Sequence, residues 1–86
     1  MFKIDINCDM GEGMGNEELL MPFISSCSIA CGGHVGSEET ILRTLQLAKA
    51  YDVKVGPHPS YPDPDNFGRT SMNLSKKDLK DSLERQ

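Results

Sequence analysis

The segment SCSIACGGHVGSEETILRTLQLAKAYDVKVGPH, residues 26–58, decides the fold class. Its first part, residues 26–31, is short and largely apolar, which predicts a buried strand. Apolar residues then recur at helical spacing as far as Tyr51, and Ser37 stands at the N-cap position before two acidic residues. Residues 53–57 predict the next strand. Because a helical crossover of this kind joins parallel strands, the segment predicts a βαβ unit.

The residues before this unit predict one more strand, a loop and a short helix. The alternating residues 2–9 predict a strand whose polar side chains share one face. Its other face would carry Phe2, Ile4, Ile6 and Cys8. Residues 10–15 have glycine at every second position, which favours a loop with unusual dihedrals or close ligand approach. Asn16 can then cap a helical turn over residues 17–20, which Pro22 ends.

The residues after the unit predict a long ordered loop and a last helix. Residues 58–73 are rich in proline and polar residues but retain Tyr61 and Phe67, as functional loops often do. Residues 75–78 form a capping box that opens a helix running to Gln86. The fold class is therefore α/β with three βα units. Because three parallel strands leave an open edge, we expect residues 1–86 to be one partial domain.

Composition excludes several classes of function. The chain has 86 residues, 26% of them charged and 37% hydrophobic, and a net charge of -4, which is typical of a globular protein. The densest basic cluster, Lys76, Lys77 and Lys80, is spaced as one solvated helix face, so we expect no nucleic acid as a partner. No apolar run approaches the roughly 18 residues of a membrane span, and no signal-peptide pattern is present. We therefore expect a cytoplasmic protein that binds no membrane.

The three cysteines, Cys8, Cys27 and Cys31, do not indicate a disulfide framework, because their number is odd. In a reducing compartment, cysteines of this kind are typical small buried residues. We make that prediction for all three.

Polar side chains follow each predicted strand where it ends. These are Asn7, Asp9 and Glu12 at the first strand, His34 after the second, and His58, Tyr61, Asp63 and Arg69 after the third. Parallel strands direct their carboxyl ends to one edge, where ligands bind. A lone histidine or a glycine loop is common at inert positions, and an aspartate between prolines is an ordinary turn residue. The convergence of two carboxylates and two imidazoles is what favours a site.

This set of residues supports two mechanisms. In the first, a carboxylate orients one imidazole as a general base on water while the other imidazole donates a proton to the leaving group. In the second, Asp9, His34 and His58 form a metal site with an open position for water. Gly36 precedes a helix N-terminus whose amides suit an anion, and Arg69 suits a carboxylate. The residues alone do not decide between the two mechanisms.

Four motifs carry a resemblance to a known family. They are KIDINCDMGEGMG at residues 3–15, SIACGGHVG at 28–36, VGPHPSYPD at 55–63 and FGR at 67–69. In this order and spacing they closely resemble the N-terminal third of the LamB/YcsF family. That resemblance implies an irregular, roughly seven-stranded β/α barrel, of which this chain would form the first part.

The resemblance also implies an activity and partners. It implies ATP-dependent cleavage of 5-oxo-L-proline to L-glutamate by a 5-oxoprolinase, with ATP as co-substrate and with two partner subunits, B and C. A homo-oligomer is a further possibility. The sequence contains no Walker-type loop, so we expect ATP to bind elsewhere in the complex.

The family motifs map onto individual positions of this sequence. In the first two motifs they are Asn7, Asp9, Gly11, Glu12, Gly13, Cys31, Gly32, His34 and Gly36. In the last two they are Gly56, His58, Pro59, Tyr61, Pro62, Asp63, Phe67, Gly68 and Arg69. Among these we expect Asp9, His34 and His58 to be catalytic. The expected substrate-binding residues are Asn7, Glu12, Gly36, Tyr61, Asp63 and Arg69. The departures from the family pattern are Ser28, Gly33, Ser37, Pro57 and Thr70.

Two alternatives accompany this reading. The first is a metal-dependent hydrolase or deacetylase that uses the same residues. The second is a non-catalytic assembly module that docks through the open strand edge.

Overall fold

The structure, a computed structural model, describes residues 3–86. Its strands are β1 (Asn7–Met10), β2 (Ser26–Ala30) and β3 (Lys54–His58). Its α-helices are α1 (Glu17–Leu20), α2 (Glu38–Ala50) and α3 (Lys76–Arg85). Two 3-10 turns, Met21–Phe23 and Pro64–Asn66, complete the regular structure of these residues. The predicted α/β fold with three βα units is therefore confirmed for this part of the chain.

The sheet is parallel throughout, in the order β1-β2-β3. Its register pairs Cys8 with Cys27 and Cys27 with Val55. Because side chains alternate along a strand, these apolar residues share the face on which α2 packs. The opposite face is polar, with Asn7 and Asp9 on β1 in register with Ser26 and Ser28 on β2. This polar face leads to the site described below.

The core lies between the apolar face of the sheet and α2. Its buried side chains are Met10, Met21, Cys27, Ile29, Ala48 and Val53. Burial raises the pKa of the Cys27 thiol, and the neighbouring Cys8 thiol adds to this effect. All three cysteines were predicted to be small buried residues. Cys27 is buried, whereas Cys8 and Cys31 are only half-buried.

The first strand is shorter than its sequence predicts. The alternation predicts a strand over residues 2–9, but β1 begins at Asn7 and extends to Met10. Ile4 is 80% exposed, and Phe2 lies outside the described residues. The reason is pairing: β2 begins at Ser26, which pairs with Asn7, so the residues before Asn7 have no neighbouring strand. Alternation alone does not make a strand when no partner lies beside it.

Ser37 caps α2 as predicted. Its side chain accepts a hydrogen bond from the Thr40 amide, and the Thr40 side chain accepts one from the Ser37 amide. Ser75 likewise accepts a hydrogen bond from the Asp78 amide at the start of α3. Asn16 stands at the N-cap position of α1, but its side chain makes no capping hydrogen bond.

The loop after β3 folds back over the end of β2. The Asp63 amide donates a hydrogen bond to the Gly33 carbonyl at 3.0 Å, which ties this loop to the one after β2. The Gln86 side chain accepts a hydrogen bond from the Ser60 amide and donates one to the Ser60 carbonyl, which anchors the end of α3. Among residues 3–86, no helix combines the length and the apolar character that a membrane crossing requires.

Candidate functional site

The parallel register places Asp9 and His58 on the polar face of the sheet near its carboxyl edge. Asp9 pairs with Ser28, and His58, the last residue of β3, pairs with Ala30. β2 lies between the two strands but presents only the small side chains of Ser28 and Ala30 on this face. The two longer side chains can therefore meet over it, with Asp9 Oδ1 3.7 Å from His58 Nδ1.

Glu12 enters the site from the glycine-rich loop after β1. Gly11 and Gly13 on either side of it have φ values of 72° and 78°, which fold the loop back over the sheet edge. Only 14% of the Glu12 side chain is exposed, compared with 56% for Asp9. The loop thus brings a largely buried carboxylate against the two histidines.

His34 lies in the loop after β2 and is only 3% exposed. The ring of Phe67 meets it edge-on, with the ring centroids 4.7 Å apart. Gly68, which has a φ of 71°, passes so close that an added Cβ would lie 3.0 Å from the His34 Cβ. The loop after β3 therefore covers His34, and Asp63 and Gly68 hold that loop in place through an amide-to-carbonyl hydrogen bond of 2.7 Å.

Glu12, His34 and His58 form a close cluster. The two imidazole rings lie 4.7 Å apart. Glu12 Oε2 is 3.7 Å from His34 Nε2, and Glu12 Oε1 is 3.9 Å from His58 Nδ1. One ligand atom from each of the three residues lies within 4.8 Å of the others. Asp9 stands beside this cluster and contacts it through His58.

These contacts are too long for hydrogen bonds, which end near 3.2 Å for nitrogen and oxygen. Among the described residues, both nitrogens of His34 and Nδ1 of His58 are buried without a hydrogen-bond partner. Buried polar atoms are normally paired, so unpaired ones call for a specific explanation. The arrangement is suited to protons held between imidazole and carboxylate, or to a cation bound among them.

The structure therefore brings together Asp9, His34 and His58, the three residues expected to be catalytic, and adds Glu12. For a metal site, however, the compact ligand set is Glu12, His34 and His58, rather than the set with Asp9 that the sequence favours. Sequence reasoning assigns Glu12 only to substrate binding. Its position between two glycines is the signal that points to a special backbone at this residue.

The other expected binding residues lie around the cluster. Asn7 donates a hydrogen bond to Ser26 and accepts one from Ser28, so its side chain is engaged with β2. Asp63 accepts hydrogen bonds from the Asn66 side chain and the Thr70 amide, within its own loop. The side chains of Asn7 and Asp63 therefore make hydrogen bonds with neighbouring groups of the protein.

Gly36, Tyr61 and Arg69 complete the set. Gly36 has a φ of 103° and packs against the Ala30 carbonyl, where an added Cβ would lie 3.3 Å away. The Arg69 guanidinium lies 5.9 Å from the centre of the Phe67 ring, which places it over the loop that covers His34. The Tyr61 side chain is exposed. Arg69 and Tyr61 thus remain accessible to a ligand.

Two of the departures from the family pattern have a structural role. Ser37 caps α2, and Ser28 donates its hydroxyl hydrogen to Asn7. At Gly33, a Cβ would meet the side chains of Gln86 and Ser60, so the space that an aromatic residue would need is occupied. Nothing in the structure explains Pro57.

The fold and the site define a class: an α/β protein whose parallel sheet carries a carboxylate and imidazole cluster at its carboxyl edge. The sequence model of the LamB/YcsF family matches residues 4–86. The chain belongs to the LamB/YcsF family.

Named relatives agree with this assignment. The chain is 46% identical over 86 residues to the proteins named as the A subunit of 5-oxoprolinase from Neisseria meningitidis serogroups A, B and C. The match covers 100% of this chain and 35% of each relative, so the chain spans about a third of their length. The crystal structure of the lactam utilization protein from Thermus thermophilus matches with a TM-score of 0.89 and 40% identity, over 99% of this chain and 36% of that one.

Proposed function

We propose that this chain is the N-terminal part of the A subunit of an ATP-dependent 5-oxoprolinase, which cleaves 5-oxo-L-proline to L-glutamate together with its B and C subunits. The observation that carries the proposal is the cluster of His34, His58 and two carboxylates at the carboxyl edge of the sheet. The relatives named as 5-oxoprolinase A subunits support the choice of reaction. The remaining strands of a β/α barrel would come from residues beyond those in this chain.

The reaction explains why acid and base groups are needed. A five-membered lactam is an unactivated amide, and phosphorylation of its oxygen by ATP makes the ring carbon a better electrophile. Water must then lose a proton as it attacks, and the ring nitrogen must gain one as the carbon–nitrogen bond breaks. The acyl phosphate formed in this way is hydrolysed by a second water, which releases inorganic phosphate and L-glutamate. We assign these proton transfers to Asp9, His34 and His58, because Asp9 and His34 each lie against His58 at the sheet edge.

Substrate recognition falls to the groups around the cluster. The 5-oxoproline carboxylate suits the Arg69 guanidinium, which can bind it through two parallel hydrogen bonds. Tyr61 and the backbone at Gly36 lie on the loops that surround the cluster. Glu12 carries negative charge beside the imidazoles, so it stabilises the protonated imidazole that forms as water is deprotonated.

The test is glutamate release from 5-oxo-L-proline and ATP by the full-length protein assembled with the B and C subunits. His58→Asn and His34→Gln should each lower kcat by about 100-fold or more, the usual contribution of a general acid or base. Glu18→Gln, which alters an exposed carboxylate away from the cluster, should retain the wild-type rate. Wild-type rates in both histidine variants would refute the assignment.

A metal-dependent hydrolase that needs no ATP is the second candidate, and the unpaired imidazole nitrogens favour it. The two candidates differ in one measurement. Hydrolysis that continues when ATP is omitted, and stops when a chelator is added, would support the second candidate over the first.

A further inference from the structure

We propose that Glu12, His34 and His58 form a binding site for a divalent metal ion of the zinc class. The ligand atoms are a carboxylate oxygen of Glu12, Nε2 of His34 and Nδ1 of His58. They come from the ends of three successive strands, so the fold itself assembles the site.

The spacing of the ligand atoms fits a shared ion. Two ligand atoms that each lie about 2.1 Å from a tetrahedral Zn²⁺ ion are about 3.4 Å apart. The Glu12 oxygens lie 3.7 Å and 3.9 Å from the two imidazole nitrogens, and one ligand atom from each of the three residues lies within 4.8 Å of the others. Side-chain movements of less than about an ångström would bring all three to zinc distance.

The burial of the imidazoles is the second, independent observation. His34 is only 3% exposed, and its Nε2 faces the carboxylate without donating to it or accepting from any described group. Leaving a buried polar atom unpaired costs about 1–3 kcal/mol. A metal ion would satisfy the lone pairs of both histidines and neutralise Glu12 at the same time. At the observed distances, direct contacts between these side chains neither satisfy the imidazole lone pairs nor neutralise Glu12.

The chemistry of the ligands selects the ion. Two imidazole nitrogens with one carboxylate oxygen suit Zn²⁺ and neighbouring transition ions, whereas Ca²⁺ and Mg²⁺ prefer oxygen ligands alone. Three protein ligands leave a position for water or substrate, as in catalytic rather than structural zinc sites. Asp9 stands beside the cluster, in contact with His58 and more than half exposed.

This inference deepens the proposed function by naming an ion for the same site, and it gives His34 and His58 the role of ligands in place of the proton transfers assigned to them above. Its test does not depend on the proposed reaction. With an ion in place, His34 and His58 would serve as ligands, and the ion would supply a more acidic water. Asp9 is then the group left to accept the proton. The same four side chains would act in either case, but only the metal site predicts that the protein binds zinc when neither ATP nor 5-oxo-L-proline is present.

The test is titration of the metal-free protein with ZnCl₂ by calorimetry, in the absence of nucleotide and lactam. We expect one ion per chain. Glu12→Gln and His58→Asn should each weaken binding by at least about 100-fold, because even groups that only orient a ligand change affinity by about 10-fold to 100-fold. Glu12→Gln conserves the size of the side chain, His58→Asn keeps a polar group at the position, and circular dichroism will show that the variants remain folded.

Two controls separate this site from adventitious binding. Glu18→Gln removes an exposed carboxylate outside the cluster and should leave zinc affinity unchanged. Cobalt substituted for zinc should lack a thiolate charge-transfer band, since the ligands include no cysteine. Absence of zinc binding in the wild-type protein, a loss of less than about tenfold in Glu12→Gln and His58→Asn, or a thiolate band would each overturn the proposal. Zinc binding without 5-oxoprolinase activity would uphold it and refute only the proposed reaction.

Discussion

Gly68 shows how one residue controls the burial of the central histidine. Its φ of 71° lies in the left-handed region, and its Cα faces the side chains of His34 and Ser60. Both the backbone conformation and the close approach therefore require glycine. The loop after β3 can cover His34 only because no side chain stands at this position.

We expect Gly68→Ala to destabilise the fold by about 2–3 kcal/mol, as the sum of left-handed strain and a forced displacement of the covering loop. Gly13→Ala is the matched control, because Gly13 has a φ of 78° but open space around an added Cβ. It should cost only about 1 kcal/mol. Urea unfolding measures both values. Equal losses in the two variants would show that contact with His34 has no part in the effect.

The sequence predicts which residues meet in the site better than it predicts how they meet. Asp9 and His58 can be placed together because strand order and alternation determine where their side chains emerge. The role of Glu12 depends on loop dihedrals at two glycines, and no periodicity encodes these. The burial of His34 depends on Phe67, which belongs to the loop after the next strand, so this contact cannot be read from local sequence.

At the scale of elements, the helices were easier to predict than the strands. Helix α2 has its own signals in the capping serine, the acidic first turn and the apolar spacing, and the structure gives it the predicted start. A strand needs a neighbour, and β1 is shorter than its alternating sequence because its neighbour begins only at Ser26. Local pattern therefore determines the helix, whereas pairing determines the strand.

Ser37→Ala should destabilise the chain by about 1 kcal/mol, because the Thr40 amide loses its acceptor at the start of α2. Ser37→Asp should retain the stability, since aspartate caps equally well and adds a favourable charge at the helix N-terminus. Thermal unfolding followed by circular dichroism measures both. The same melting temperature for Ser37→Ala and the wild-type chain would contradict the capping role.

At the scale of the whole molecule, the described residues are extended rather than closely packed. The Cα radius of gyration is 14.2 Å, whereas about 12 Å is typical of a compact domain of this length. The dimensions of 48 × 27 × 20 Å agree with this. Large apolar side chains of these three βα units remain exposed, although parallel sheets normally have both faces covered.

Part of this exposed apolar surface lies between α2 and β3. A groove of about 240 Å³ is lined there by Ile41, Leu45, Val55 and Pro57, among other residues. Val55 is 49% exposed although it lies on the apolar face of the sheet. Because exposed apolar patches drive association, we expect the purified chain to self-associate through this groove as its concentration rises.

Val55→Glu should shift the equilibrium toward monomer, since a carboxylate in the groove would have to be buried without a partner upon association. Leu19→Glu is the control, because Leu19 is 74% exposed on α1, outside the groove. Sedimentation velocity over a range of concentrations distinguishes the two variants. If Leu19→Glu dissociates the assemblies as well as Val55→Glu does, association results from general apolar exposure, and the open side of β3 has no special part in it.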